Sequence, residues 1–261
     1  MRILIVGATG EIGSHLLGAL KGLENTTVRG TTASRDKIID KSLMFFDLRS
    51  SSPKIVDNYD CCIALAGATS IQYCTENIEE SRLINVEGIK KLFDRCVQRG
   101  VYFIFLSTSH VFDGTKQFPD TEDAKQPRNE YAMQKSIVED YINSRQAHSC
   151  ILRITKVMSR KNSLTKWWDS EITKGSKIRA YSDECVSLLP LSLLGKIMRK
   201  IIELKPIGLW HLGGKAELSY YEFARCRYRT KTKDQNLVMT TVKYKDQERV
   251  SYSSLRTRLP W

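Results

Sequence analysis

The amino-acid sequence predicts an α/β fold, a doubly wound parallel sheet with a smaller C-terminal lobe. Two observations predict it. Short apolar segments alternate with helix-length amphipathic stretches over roughly the first 157 residues, the pattern of a parallel sheet covered on both faces. A glycine-rich turn follows the first of those segments directly. The strands read at 2–6 (RILIV), 27–32 (TVRGTT), 43–46 (LMFF), 61–65 (CCIAL), 102–106 (YFIFL) and 150–154 (CILRI). Helices are expected near 11–22, 77–99 and 130–146; in the second, Ile78, Ile84, Ile89, Leu92, Phe93 and Cys96 recur at helical spacing. After about residue 157 the alternation weakens. Residues 1–157 are therefore expected to form the sheet domain. Residues 158–261 are expected to form a smaller lobe over its carboxyl edge, where open α/β sheets bind ligands, with some segments returning to the sheet.

Composition narrows the function classes. A chain of 261 residues with 41% hydrophobic content can bury a sizeable core. No apolar run reaches the ~18 residues needed to span a bilayer. The opening MRILIVGATG is too short for a secretory h-region, so a cytoplasmic location is expected. Seven cysteines, an odd number without C-x-x-C spacing, predict no disulfide; Cys61, Cys62, Cys96 and Cys150 sit in apolar segments as small hydrophobes. His15, His110, His148 and His211 show no metal-ligand spacing, and no metal is expected. The net charge of +12 favours acidic partners, and basic residues concentrate at 225–233 and 254–259. No recognition motif accompanies them, which argues against nucleic acid.

The first site motif is GATGEIG, Gly7 to Gly13, between strand and helix. Gly7 allows the tight turn, Gly10 lets the backbone approach a pyrophosphate, and Gly13 lets the helix pack close to the strand. Residues 1–157 thus read as a dinucleotide-binding, Rossmann-type domain. A second motif, NEYAMQKSIVEDY, opens a helix after the fifth strand; the i, i+4 spacing of Tyr131 and Lys135 puts both on one helix face. A nearby ammonium lowers the pKa of a phenol, so Tyr131 is expected to exchange a proton near neutral pH.

The G-x-x-G-x-x-G spacing and the placed Tyr-x-x-x-Lys resemble the short-chain dehydrogenase/reductases. The run from Leu106 to Tyr141, with LAGAT (65–69), INVEG (84–88), LRITKV (152–157) and HLGGKAELSYYEFA (211–224), is similar to the extended members, in particular the dTDP-4-dehydrorhamnose reductase-like sugar-nucleotide enzymes. The resemblance implies that Thr108 joins Tyr131 and Lys135 as catalytic residues, holding the substrate oxygen while Tyr131 transfers the proton. It implies that Thr9, Glu11 and Ile12 of the glycine turn, Asp47 and Leu48, Leu65, Ala66 and Gly67, and Ile154 bind the cofactor beside Tyr131 and Lys135. An Asp capping the next turn would look the same as an adenine-contacting Asp47.

The departures carry information. The related dehydratases have Thr-Asp-Glu where this chain has Thr108, Ser109 and His110, so dehydration is disfavoured; the reductases have Asp-Tyr at Ser109 and His110. These two residues and Lys156, which stands where epimerases often carry Asn and is suited to a phosphate, are the candidate substrate contacts; His110 packed at the strand end is the alternative. The second strand lacks the acid that NAD enzymes use on the adenosine ribose, and Ser34 and Arg35 suit a 2′-phosphate, which favours NADP over NAD. Three functions follow from the resemblance: an NADP-dependent reductase of a nucleotide-linked keto sugar, an epimerase that retains its cofactor, and a non-catalytic dinucleotide-binding regulatory subunit. It also implies a homodimer through the helices near 77–99 and 130–146. Trp167, Trp168 and Arg179 are candidates for the pocket wall in the small lobe.

Overall fold

The computed structural model describes residues 1–38, 40–158, 163–228, 237–240 and 251–261. In chain order the first half holds β1 (Arg2–Val6), α1 (Glu11–Leu20), β2 (Thr27–Thr32), β3 (Leu43–Phe45), β4 (Cys61–Ala64), α2 (Ile71–Glu76), α3 (Ile78–Arg82), α4 (Ile89–Arg99) and β5 (Tyr102–Thr108). The second half holds α5 (Glu130–Ser144), β6 (Ser149–Ile154), β7 (Lys156–Met158), α6 (Ser163–Thr173), β8 (Ile178–Tyr181), β9 (Cys185–Pro190), α7 (Leu191–Leu204), β10 (Gly208–Leu212), β11 (Glu217–Ser219), α8 (Tyr220–Tyr228) and β12 (Leu237–Thr240). Of the basic stretch at 225–233, residues 229–233 lie outside the described residues.

The main sheet runs β10-β6-β5-β4-β1-β2-β3, parallel throughout. Strand order reverses between β1 and β4, the switch point at which such sheets open a crevice. Alternation along β1 sorts its side chains. Ile3 and Ile5 pack with Leu16 and Leu20 of α1 and with Met198 and Ile202 of α7. Leu4 and Val6 face the other way, onto Leu92 and Phe93 of α4 and Val138 and Ile142 of α5. Each such fully buried side chain contributes about 1.5–3 kcal/mol, which explains why the strand reads as an uninterrupted apolar run. Cys61, Cys62, Cys96 and Cys150 are free thiols buried in these two cores.

The stretch expected as one helix over 77–99 is interrupted: α3 passes into a wider π turn at Leu83–Gly88 before α4 begins. The polar side chain of Asn85 sits in this turn, turned toward the loop after β4, and such bulges recur where a helix must re-aim a side chain. β5 runs two residues beyond its expected end, to Thr108, carrying the hydroxyl cluster onto the sheet's carboxyl edge.

Beyond β6 a three-stranded sheet, β11-β9-β7, and the β8–β12 ladder lie outside the main sheet, while β10 returns to its edge beside β6 and α7 covers one face. Trp168, Ile178, Ala224 and Tyr228 form a separate small core. The C-terminal segment ties these parts together: Cys185 N donates to the Ser251 carbonyl (2.8 Å), Tyr252 N to that of Gly114 (3.1 Å), and Arg258 bridges His211 of β10. Among the described residues no helix is long and apolar enough to cross a membrane.

Candidate active site

A cleft of about 1160 Å³ opens along the carboxyl ends of the strands. At one end it meets the glycine turn. Gly7 has φ +93°, and a Cβ there would stand 2.6 Å from Ala66 N. A Cβ on Gly13 would stand 2.2 Å from the Gly7 carbonyl, so only glycine lets α1 approach this closely. Gly10 is the N-cap of α1, and no side chain caps the first turn. A Cβ on Gly10 would meet only the Gly7 carbonyl at 3.4 Å and would occupy cleft space. These residues fit the diphosphate of a dinucleotide, which free N–H groups at a helix N-terminus bind.

Thr9, Glu11 and Ile12 line the cleft beside them, and Thr9 Oγ1 donates to Thr32 Oγ1 (3.2 Å). Leu48 also lines it, as does Asp47. Asp47 faces the cleft and closes its own turn, accepting from Arg49 N (2.9 Å) and Arg49 Nη2 (2.7 Å). That guanidinium holds the carboxyl below the usual carboxylate range. Arg49 continues to Glu80 (2.8 Å). Ser34 and Arg35 follow directly on the lining residues Thr32 and Ala33 but are not part of the wall; Arg35 is exposed, its guanidinium 4.0 Å from the Phe45 ring centroid.

Leu65, Ala66 and Gly67 line the middle of the cleft. Their loop is held by Asn85, whose Oδ1 accepts from Ala68 N (2.8 Å) and whose Nδ2 donates to the Ala68 carbonyl (2.8 Å) and to Gln134 Oε1 (2.7 Å). Gln134 in turn donates to Ser81 Oγ (2.8 Å) and Glu130 Oε1 (3.0 Å). This buried network couples the loop after β4 to the first turn of α5. Its signal in the sequence was an asparagine set between the apolar Ile84 and Val86.

Thr108 ends β5 and Tyr131 opens α5, whose N-cap Asn129 accepts from Ala132 N (2.9 Å). Both Thr108 and Tyr131 line the cleft, with Lys135 one turn further along the same helix face. Lys135 Nζ donates to the Leu106 carbonyl (2.9 Å) and lies 4.5 Å from the Phe105 ring centroid. Burial lowers its pKa to about 8. The expectation that Lys135 pulls the Tyr131 phenol toward neutrality is corrected here. Burial pushes Tyr131 up to about 12, a hydrogen bond with Thr108 pulling more weakly the other way. The ammonium is directed at a backbone carbonyl, and desolvation of the phenolate is the larger effect. Tyr131 is therefore a phenol across the neutral range, a proton donor rather than a poised base.

Ser109, His110, Ile154 and Lys156 all reach the cleft. Burial and the Lys156 charge hold His110 neutral, and its Nδ1 has no hydrogen-bond partner. Lys156 Nζ donates to Tyr220 OH (3.1 Å). Glu184, Cys185, Val186, Tyr220 and Ser253 also line the cleft, none of them expected there from the sequence. Trp167, Trp168 and Arg179 do not line the cleft: α6 turns Trp168 inward against Phe223 and Tyr228, leaving Trp167 and Arg179 exposed.

A parallel sheet with a glycine turn at its switch point, and a Thr, Tyr and Lys set beside it, defines the short-chain dehydrogenase/reductase class. Residues 1–259 match the RmlD substrate binding domain, and the chain belongs to that family. It is similar to the spore coat polysaccharide biosynthesis protein SpsK of Bacillus subtilis, 27% identical over 228 residues, 85% of this chain and 77% of that protein. It is 25% identical over 239 residues to the dTDP-4-dehydrorhamnose reductase of Escherichia coli, 86% of this chain and 76% of that one. In fold it superimposes on a dTDP-4-dehydrorhamnose reductase of Clostridium acetobutylicum with a TM-score of 0.86 at 24% identity, over 98% of this chain and 90% of that one. The corresponding protein of Bacillus anthracis, solved in complex with NADP, gives 0.84 at 20% identity, over 98% of this chain and 90% of that one.

Proposed function

We propose that this chain is an NADP-dependent reductase of a nucleotide-linked keto sugar. The observation that carries the reading is the meeting of Thr108, the protonated Tyr131 and Lys135 in one cleft with the glycine turn. When bound, the nicotinamide dinucleotide supplies the hydride that reduces the carbonyl carbon. The chain does the rest. The first turn of α1 binds the diphosphate, and Leu65, Ala66, Gly67 and Ile154 wall the dinucleotide. The Thr108 hydroxyl holds the substrate oxygen, and Tyr131 Oη gives it a proton as negative charge develops there. Lys135 keeps a positive charge beneath both. Lys156 meets the substrate phosphate, and Ser109 and His110 face the sugar.

NADP is favoured because β2 ends in Thr31 and Thr32 without an acid, with Arg35 exposed just beyond. The absence of carboxyl groups at Ser109 and His110 argues against dehydration, and the names of the family's reductases support a keto sugar carried on a nucleotide. A cytoplasmic homodimer fits the buried free thiols and the exposed Leu83, Val97 and Met133 on the helices around α4 and α5. The test is NADPH consumption by the purified chain with a panel of dTDP-, UDP- and GDP-linked keto sugars. Net release of oxidised cofactor supports reduction; product without it is epimerisation.

A further inference from the structure

Behind the catalytic face lies a fully buried charge network that the proposed chemistry does not itself use. Glu139, one turn beyond Lys135 on α5, is 0% exposed. It accepts from Ser107 Oγ (2.5 Å), from Arg153 Nε (3.0 Å) and Nη2 (2.7 Å), and faces Lys125 Nζ at 3.5 Å. Arg153, on β6, is 2% exposed and donates through Nη1 to His211 Nε2 of β10 (3.2 Å). Ser107 immediately precedes Thr108. Ser107 of β5, Arg153 of β6 and Lys125 of the segment before α5 therefore converge on one carboxylate beneath the catalytic residues. Burying such a pair gains little stability over apolar packing, so its retention here calls for another role.

We propose that Glu139 is a positioning residue for the active site: its carboxylate, anchored by Arg153 and Ser107, is the buried negative charge one helical turn behind Lys135 and locks the end of β5, with Thr108, against α5. The groups facing Lys135 are few. Tyr131 and Glu139 lie on its own helix, the Leu106 carbonyl and Phe105 ring on β5, and the Cys74 thiol on α2. Burial drives Lys135 toward the neutral amine, and the Glu139 carboxylate opposes that. Lys125 moderates Glu139 while also pairing with Asp140 (2.6 Å). The inference rests on the reductase reading for its consequence in turnover, but its core concerns an ionisation that needs no substrate.

The experiment is an NMR pH titration of the intact chain labelled with carbon-13 at the lysine ε carbon, the Lys135 signal assigned by its loss in Lys135→Arg. In Glu139→Gln the Lys135 midpoint is expected to fall by about one pH unit or more, and the alkaline limb of kcat/KM to fall with it. If Glu139→Gln does not fold, Glu139→Asp keeps the charge but draws the carboxylate back by one methylene, and a smaller fall in the same direction is expected. An unmoved midpoint in a folded variant overturns the proposal. Failure of the wild-type chain to reduce any keto sugar would sink the reductase reading, and the titration alone would still decide the role of Glu139.

Discussion

The two ends of the cleft are built differently. The cofactor end comes from short consecutive stretches: a strand, a turn and a helix start between Arg2 and Leu20, then the loops after β3 and β4. The substrate end is assembled from Ser109 and His110 after β5, Lys156 of β7, Glu184 and Cys185 at β9, Tyr220 at α8 and Ser253 of the C-terminal segment. The first end is shaped by backbone geometry, the second by side chains brought in from far along the chain. Change at the first end should therefore remove binding or turnover outright, whereas change at the second should retune which substrate is taken.

The sharpest break lies where the two ends meet. Tyr131→Phe should lower kcat by about 10²–10⁴-fold, the usual contribution of a positioned proton donor, while NADPH titration by fluorescence stays unchanged. Equal loss of cofactor binding would make Tyr131 a structural residue of the cofactor end.

The sheet edge beside the substrate end should show itself in acid. His211 is buried, and burial with the Arg153 guanidinium lowers its pKa to about 4 from 6.5. The unfolded chain binds that proton first, so stability is complete above pH 6.5 and declines as pH falls toward 4, by roughly 3 kcal/mol at most. Urea denaturation across this range should show the decline, and His211→Gln should flatten it.

At the cofactor end, Arg35→Ala should weaken NADPH about tenfold and leave NADH nearly unchanged, read by paired fluorescence titrations. The smallest effect belongs to the substrate end. Tyr220→Phe removes the acceptor of Lys156 and should change substrate KM by a few-fold, about 1 kcal/mol or less for an exposed hydrogen bond, with kcat held.

The same division explains what was legible in the sequence. RILIV reads as a strand because burial on both faces leaves an uninterrupted apolar run, TVRGTT because β-branched residues fill it, and both strands end where they were expected. The glycine turn and Tyr131 with Lys135 were legible because each is a local spacing on one element. The break within 77–99 was not, because it depends on Asn85 reaching a loop seventeen positions earlier in the chain, at Ala68. Nor was β10: GLWHL is short, mixed in polarity and defined only by its register with β6. Glu184 and Cys185 carried no signal, and Tyr220 stood in HLGGKAELSYYEFA with nothing to mark it as a cleft residue, since the pairing of β9 with β7 and β11 is what brings them to the cleft. The sense of the Tyr131 shift was misread for a related reason: spacing shows that a lysine is near, but only the fold shows that its ammonium points at the Leu106 carbonyl.

The central claim is that one cleft joins a dinucleotide to a proton donor for reduction of a keto sugar. The most direct measurement supplies NADPH deuterated at the transferable position together with a nucleotide-linked 4-keto sugar, and follows both products by mass spectrometry. The account predicts one deuterium in each molecule of reduced sugar and one oxidised cofactor released per turnover. Product without deuterium or net cofactor oxidation, or label retained wholly in the cofactor, would contradict it.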